Sequence, residues 1–140
     1  MACPFFHPAE PFADGAWLKP PRLPLGDACL GRCMAEPAGP VLPSLDELRQ
    51  CCNLGYARGR CSRFPAASDA MDAIRFSIAG DGGDKVEVVY IYERDYAPVR
   101  HGRLLYDAAA ACFRDPVESP VLEAQARRFV LGYLTRRIMP

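Results

Sequence analysis

The stretch AIRFSIAGDGGDKVEVVYIYE, residues 73–93, predicts a β-hairpin. Apolar and polar residues alternate from Ile74 to Ile78, which is the period of a half-buried strand. The glycines and aspartates of AGDGGD then indicate a turn. The alternation resumes from Val86 to Tyr92, so the second strand should pair with the first.

The chain beyond this hairpin predicts one more strand and two helices. A short third strand is expected around 103–106. Asp107 can cap a helix through AAAACF. Ser119 and the proline after it predict a final helix that runs to about Arg137. The predicted fold class is therefore α+β, in which residues 66–140 form a small antiparallel sheet of two to three strands packed with two C-terminal helices.

The other half, residues 1–65, has a different composition. It holds six of the seven cysteines and ten of the 14 prolines. Nine prolines precede Ser44 and leave almost no room for a helix or a central strand. Aromatic residues favour an ordered, irregular wrap over a disordered tail; they are Phe5, Phe6, Phe12 and Trp17.

One short helix is expected in this half, in SLDELRQCC at residues 44–52. Ser44 and Glu47 have the spacing of a capping box. Leu45, Leu48 and Cys52 would share one face of an α-helix. Cys52 should therefore point inward, and Cys51 to the side.

Length and charge limit the possible functions. The 140 residues predict a single domain, and the formal net charge of zero gives no general argument for nucleic acid or an anionic membrane as partner. No apolar run approaches the ~20 residues of a membrane helix. The start, MACPFFHPAEPF, lacks the features of a secretory signal. We therefore expect a cytoplasmic protein without membrane insertion.

The cysteines are the main functional signal. An odd number of thiols in a reducing compartment favours metal binding, redox chemistry or simple burial over a disulfide framework. Four of them stand beside proline or glycine, in segments that can shape a ligand loop: Cys3, Cys33, Cys52 and Cys61. Four thiolates match the ligands of a 4Fe–4S or 2Fe–2S cluster and also those of structural zinc.

The spacing of the cysteines favours a cluster over a zinc knuckle. The chain has no Cys-x-x-Cys pair, and its nearest approach is Cys29-x-x-x-Cys33. Cys112 is expected to be a buried packing residue, and Cys29 and Cys51 could have the same role.

Three arginines crowd the loop around Cys61: Arg58 and Arg60 lie between Cys52 and Cys61, and Arg63 follows Cys61 by two residues. Guanidinium groups would offset the negative charge of a four-thiolate cluster. They could instead meet the carboxylates of a protein partner. Without a longer basic run they do not predict nucleic-acid binding.

Several short motifs together resemble a family of small, uncharacterised, cysteine-rich bacterial proteins. They are ACPFF, RLPLGD, GRC, CNLGYARGRCSRFP and IRFSI, and they cover most of the chain. Matched residue by residue, the resemblance implies Cys3, Cys33, Cys52 and Cys61 as the shared cysteines. It implies no activity.

The leading hypothesis is an iron–sulfur protein that moves electrons or serves as an accessory subunit of a redox complex, with a protein partner and no catalytic activity of its own. The alternative is a structural zinc module that mediates protein–protein interaction. A third hypothesis is a thiol-redox enzyme that uses Cys29 with Cys33, or Cys51 with Cys52.

Overall fold

The computed structural model describes residues 2–11, 29–35, 40–65 and 69–138. The predicted roles of Phe12 and Trp17 in the wrap, and the RLPLGD motif, lie outside these ranges. No helix within them is long and apolar enough to cross a membrane.

The predicted hairpin is confirmed and belongs to a four-stranded antiparallel sheet. Its strands pair in chain order: β3 (Ala73–Asp81), β4 (Lys85–Arg94), β5 (Ala97–Asp107) and β6 (Cys112–Phe113). Phe76 lies opposite Tyr90 in the register, and Val88 lies opposite Leu104. The third strand is longer than predicted, because β5 pairs with almost the whole of β4.

The final helix is also confirmed, as a helix over Pro120–Ile138. The Ser119 hydroxyl caps it by accepting a hydrogen bond of 3.0 Å from the Leu122 amide. One face of the helix, with Leu122, Ala126 and Val130, is fully buried against the sheet.

The predicted helix after Asp107 is wrong, so one helix follows the sheet where two were expected. The Asp107 carboxylate accepts hydrogen bonds from the amides of Ala109 and Ala110 and forms a turn. Ala111 has a positive φ of 56°, which reverses the chain. Cys112 then enters β6 with an exposed side chain, and its predicted burial is wrong as well.

The proline-rich half contains two strands that the sequence did not predict. β1 (Phe6–Pro11) and β2 (Cys29–Cys33) form a separate two-stranded antiparallel sheet. A sheet of two strands has only edges, where a proline without an N–H group is tolerated. Pro8 lies opposite Gly31, and the register shifts between Pro8 and Glu10.

The buried residues of the described ranges form two separate clusters. The sheet–helix core consists of large apolar side chains from β3 to β6 and the final helix, together with Ala2. The thiol core consists of eight other buried residues: Cys3, Phe6, Cys29, Leu48, Cys51, Cys52, Ala57 and Phe64.

Candidate functional site

Five thiols line one small cavity in the thiol core: Cys3, Cys33, Cys51, Cys52 and Cys61. The rest of its wall is formed by Phe5, Phe6, Ala35, Ala57, Arg63 and Phe64. Its volume is about 20 Å³, roughly the space that one water molecule needs. All four cysteines predicted as ligands therefore border the same cavity, and Cys51 joins them.

Backbone hydrogen bonds bring the chain segments of the cavity together. The Cys3 amide donates to the Cys52 carbonyl at 3.1 Å, and the Cys33 amide donates to the Val41 carbonyl at 2.8 Å. Ala2 forms a β-bridge with Ile74, which attaches the Cys3 segment to the large sheet.

The segment before the loop explains why Cys51 lies in the cavity. The predicted capping box of Ser44 and Glu47 is confirmed. The α-helix extends only over Leu45–Glu47, however, and a π-helical turn follows over Leu48–Cys52. The inward position predicted for Cys52 is confirmed. Because a π-turn is wider than an α-turn, the rest of the predicted face is wrong: Leu45 does not share it, and Cys51 is not directed to the side. Leu45 is 45% exposed, whereas Cys51 and Cys52 are both buried.

Asn53 holds the end of the π-turn against β2. Its side chain is buried and satisfies three backbone groups. The Cys29 amide donates to Asn53 Oδ1 at 2.9 Å, and Asn53 Nδ2 donates to the carbonyls of Cys29 and Leu48. Cys29 is buried beside this contact but does not line the cavity, in agreement with its predicted packing role.

Two side chains fasten the loop between Cys52 and Cys61 to strand β4 and to Asp72, the residue just before β3. Tyr56, at a positive φ of 56°, donates a hydrogen bond of 2.7 Å from its hydroxyl to the buried Glu93 carboxylate. Arg58 Nε donates to the Asp72 carboxylate at 3.1 Å. The Cys61 amide closes the loop by donating to the Ala57 carbonyl.

Gln125 of the final helix supports the Cys3 turn from the other side. It is fully buried, and its amide nitrogen donates to the carbonyls of Cys3 and Phe6 at 2.7 and 2.8 Å. Sequence reasoning missed this residue, because Gln125 and Cys3 are 122 positions apart.

Burial favours the protonated form of three thiols of the cavity, those of Cys3, Cys51 and Cys52. It raises the pKa of the Cys3 thiol to about 12, and the neighbouring sulfurs of Cys33, Cys61 and Cys51 add to the rise. Burial likewise raises the pKa of Cys52, with Cys3 as the next cause. The pKa of Cys51 is raised first by burial and then by Cys61. A bound cation would reverse this preference, because it stabilises thiolates.

One of the three predicted arginines borders the cavity. Arg63 forms part of its wall and pairs with Glu47, and this contact holds the pKa of the Glu47 carboxyl down, at about 2. Arg58 is directed to Asp72 and also lies over the Phe64 ring. Arg60 donates to the Gln50 carbonyl.

All seven cysteines lie within the described ranges and carry thiols. Across those same ranges, no three His, Cys, Asp or Glu side chains are already arranged as the ligands of a metal ion.

No protein-family model, curated protein or solved structure matches this chain. The resemblance to the cysteine-rich bacterial family stays a prediction.

Proposed function

We propose that this chain binds an iron–sulfur cluster through Cys3, Cys33, Cys52 and Cys61, and that it acts in electron transfer or as an accessory subunit of a redox complex. The observation that carries the proposal is that these four thiols, from separate chain segments, border one cavity. Cysteine thiolates are the usual ligands of such clusters.

The surroundings of the thiols suit an oxidation-sensitive group. Phe5 and Phe64 meet edge to face at 5.5 Å in the cavity wall and limit the access of water. Arg63 borders the same wall, where its guanidinium is ion-paired with the Glu47 carboxylate.

In the proposed chemistry the cluster would carry the electron, and the chain would bind the cluster. A bound cluster would accept one electron and release it to a partner. The chain would hold it with four thiolates, whose protons leave on binding. Cys61 is the most exposed of the five thiols of the cavity, so the partner protein should approach from its side. We place this chemistry in the cytoplasm, where thiols stay reduced.

A structural zinc ion is the second candidate, and the small volume of the cavity favours it. A space of about 20 Å³ matches a single ion more closely than a cluster. Zinc accepts four thiolates and has no redox chemistry. The chain would then act as a protein-binding module.

The test is purification of the full chain without oxygen. The cluster proposal expects a brown protein that contains iron and acid-labile sulfide and gives an electron paramagnetic resonance signal after reduction with dithionite. A colourless protein with one zinc per chain and no signal would replace the first proposal with the second. A protein that binds neither would contradict both.

A serine scan of all seven cysteines tests the ligand assignment. Cys3→Ser, Cys33→Ser, Cys52→Ser and Cys61→Ser should each lose the metal. Two matched controls should keep it: Cys29→Ser, which is buried outside the cavity, and Cys112→Ser, which is exposed. Metal content and circular dichroism measured on each variant separate loss of a ligand from loss of the fold. Loss of metal in Cys29→Ser with retention in Cys33→Ser would overturn the assignment.

A further inference from the structure

The cavity contains one thiol more than a four-thiolate site needs. Cys51 is the extra one, because the π-turn places it beside Cys52 in the cavity wall. Cys51 and Cys61 both border this cavity of about 20 Å³, and after burial Cys61 is the largest cause of the raised pKa of the Cys51 thiol. A proposed ligand and a non-ligand thus share the wall of one small cavity.

We propose that Cys51 and Cys61 form a reversible disulfide in the metal-free protein, and that this bond closes the site until it is reduced. The disulfide depends only on the positions of the two thiols. Its effect on loading rests on the proposed function, because it would withdraw Cys61 from the set of four ligands.

The reaction needs an oxidant, and a low-molecular-weight disulfide such as oxidised glutathione supplies it. The Cys61 sulfur attacks one sulfur of that disulfide, forms a mixed disulfide and releases one small thiol. The Cys51 sulfur then attacks the Cys61 sulfur, forms the protein disulfide and releases the second small thiol. The two protons of Cys51 and Cys61 end on the released thiols, and two electrons pass to the oxidant.

Access identifies Cys61 as the thiol that an oxidant reaches first, and backbone geometry disfavours a bond between Cys51 and Cys52. Cys61 is partly exposed, so an oxidant can reach it, whereas Cys3 and Cys52 are both buried. Cys51 and Cys52 are adjacent in sequence, and their Cα atoms lie about 3.8 Å apart. That is below the range of roughly 4.4–6.8 Å in which most disulfides form.

The test treats the metal-free, reduced full-length protein with oxidised glutathione, followed by alkylation, trypsin digestion and mass spectrometry. Cleavage after arginine places Cys51 in the peptide 50–58 and Cys61 in the peptide 61–63. The expected product is these two peptides joined, with a mass about 2 Da below their sum, because two thiol hydrogens are lost.

Two serine variants identify the sulfur within peptide 50–58, which also contains Cys52. The joined product should persist in Cys52→Ser and disappear in Cys51→Ser. Cys29→Ser is the matched control for a buried cysteine elsewhere and should keep the product. A product joined through Cys52, or a wild-type protein that shows no joined peptides, would overturn the proposal.

Loading with zinc, or with iron and sulfide, then tests the consequence. After the oxidant is removed, the oxidised wild type should lose metal uptake and recover it on reduction with dithiothreitol. Undiminished uptake by protein that carries the disulfide would overturn the closing role. If the reduced wild type also binds no metal while the disulfide forms, the proposed function fails and the Cys51–Cys61 bond stands.

Discussion

The thiol core and the sheet–helix core are ordered by different kinds of contact. In the sheet–helix core, large apolar side chains such as Ile74, Val88 and Leu122 are almost fully buried between a paired sheet and one helix. In the thiol core, half of the buried residues are cysteines, and single polar side chains such as Asn53 and Gln125 satisfy the backbone around them. The residues of the two cores are buried to a similar extent. The sheet–helix core buries apolar side chains, whereas the thiol core buries cysteines next to hydrogen-bonded polar groups.

This difference indicates where each half is vulnerable. When one methyl group is removed from a well-packed apolar core, the loss of stability depends on the size of the cavity that remains. Removing one hydrogen-bonding group from the thiol core leaves buried backbone groups without partners, which costs their desolvation. The four predictions below use this contrast, beginning with the largest expected effect.

Asn53→Asp should give the largest loss of stability. The carboxylate cannot donate to the carbonyls of Cys29 and Leu48, and it would place a charge beside both. We expect the free energy of unfolding to fall by about 3 kcal/mol or more. Urea denaturation measures the change. Gln50→Glu, the same change of side chain at an exposed position of the π-turn, should have little effect. Equal effects of the two variants would contradict the role of Asn53.

Gly31→Ala should destabilise the two-stranded sheet specifically. A Cβ at this position would lie 2.2 Å from the His7 carbonyl oxygen and 2.7 Å from the Pro8 Cα, so the backbone has to move. We expect a loss of about 1–3 kcal/mol, measured by thermal denaturation. In Gly80→Ala, the matched change in the large sheet, the new Cβ would have its nearest contact at 3.8 Å, so that variant should keep wild-type stability. A stable Gly31→Ala protein would show that β1 and β2 can separate without loss.

Tyr56→Phe tests the connection between the two halves. The variant loses the hydrogen bond to Glu93 and the one that the Tyr56 hydroxyl accepts from the Tyr96 amide at 3.0 Å. We expect a cost of about 1–2 kcal/mol, with faster amide hydrogen exchange in the loop between Cys52 and Cys61.

Tyr96→Phe is the control for this change. It keeps the ring that stacks on Tyr56 at 4.2 Å and should behave as the wild type. If exchange in Tyr56→Phe rises only in the large sheet, the hydroxyl does not hold the loop.

Acid should have the smallest effect, and it should act on both halves. Hydrogen bonds from Tyr133, the Gly83 amide and Arg137 hold the pKa of Asp81 at about 2. A lowered pKa in the folded state stabilises the fold above the ordinary value of about 3.9 and loses this contribution as the pH falls toward the folded value.

Asp81→Asn should therefore flatten the dependence of stability on pH between about 4 and 2. Glu47 is the counterpart in the thiol half, since its pKa is also about 2. Denaturant titrations of Asp81→Asn and the wild type at several pH values measure the change. An unchanged pH profile in Asp81→Asn would show that its contacts do not stabilise the fold.

Local patterns allowed the regular elements to be predicted. The alternation in residues 73–93, the capping box at Ser44 and the cap at Ser119 depend on neighbours within a few positions, so the sequence alone located two strands and the start of two helices. The same local reading failed after Asp107, where a run of alanines favours a helix but the Asp107 side chain and the pairing of β6 with β5 impose a turn.

The composition also directed attention to the cysteines, and the cavity brings together the four that were selected. Local reasoning could not place Cys51 there, because the face prediction assumed the spacing of an α-helix, and the turn over Leu48–Cys52 is a π-turn. The supports from Asn53, Tyr56 and Gln125 join residues that lie 24 to 122 positions apart. Such contacts have no sequence period, and only the tertiary structure decides which buried carbonyl meets which amide.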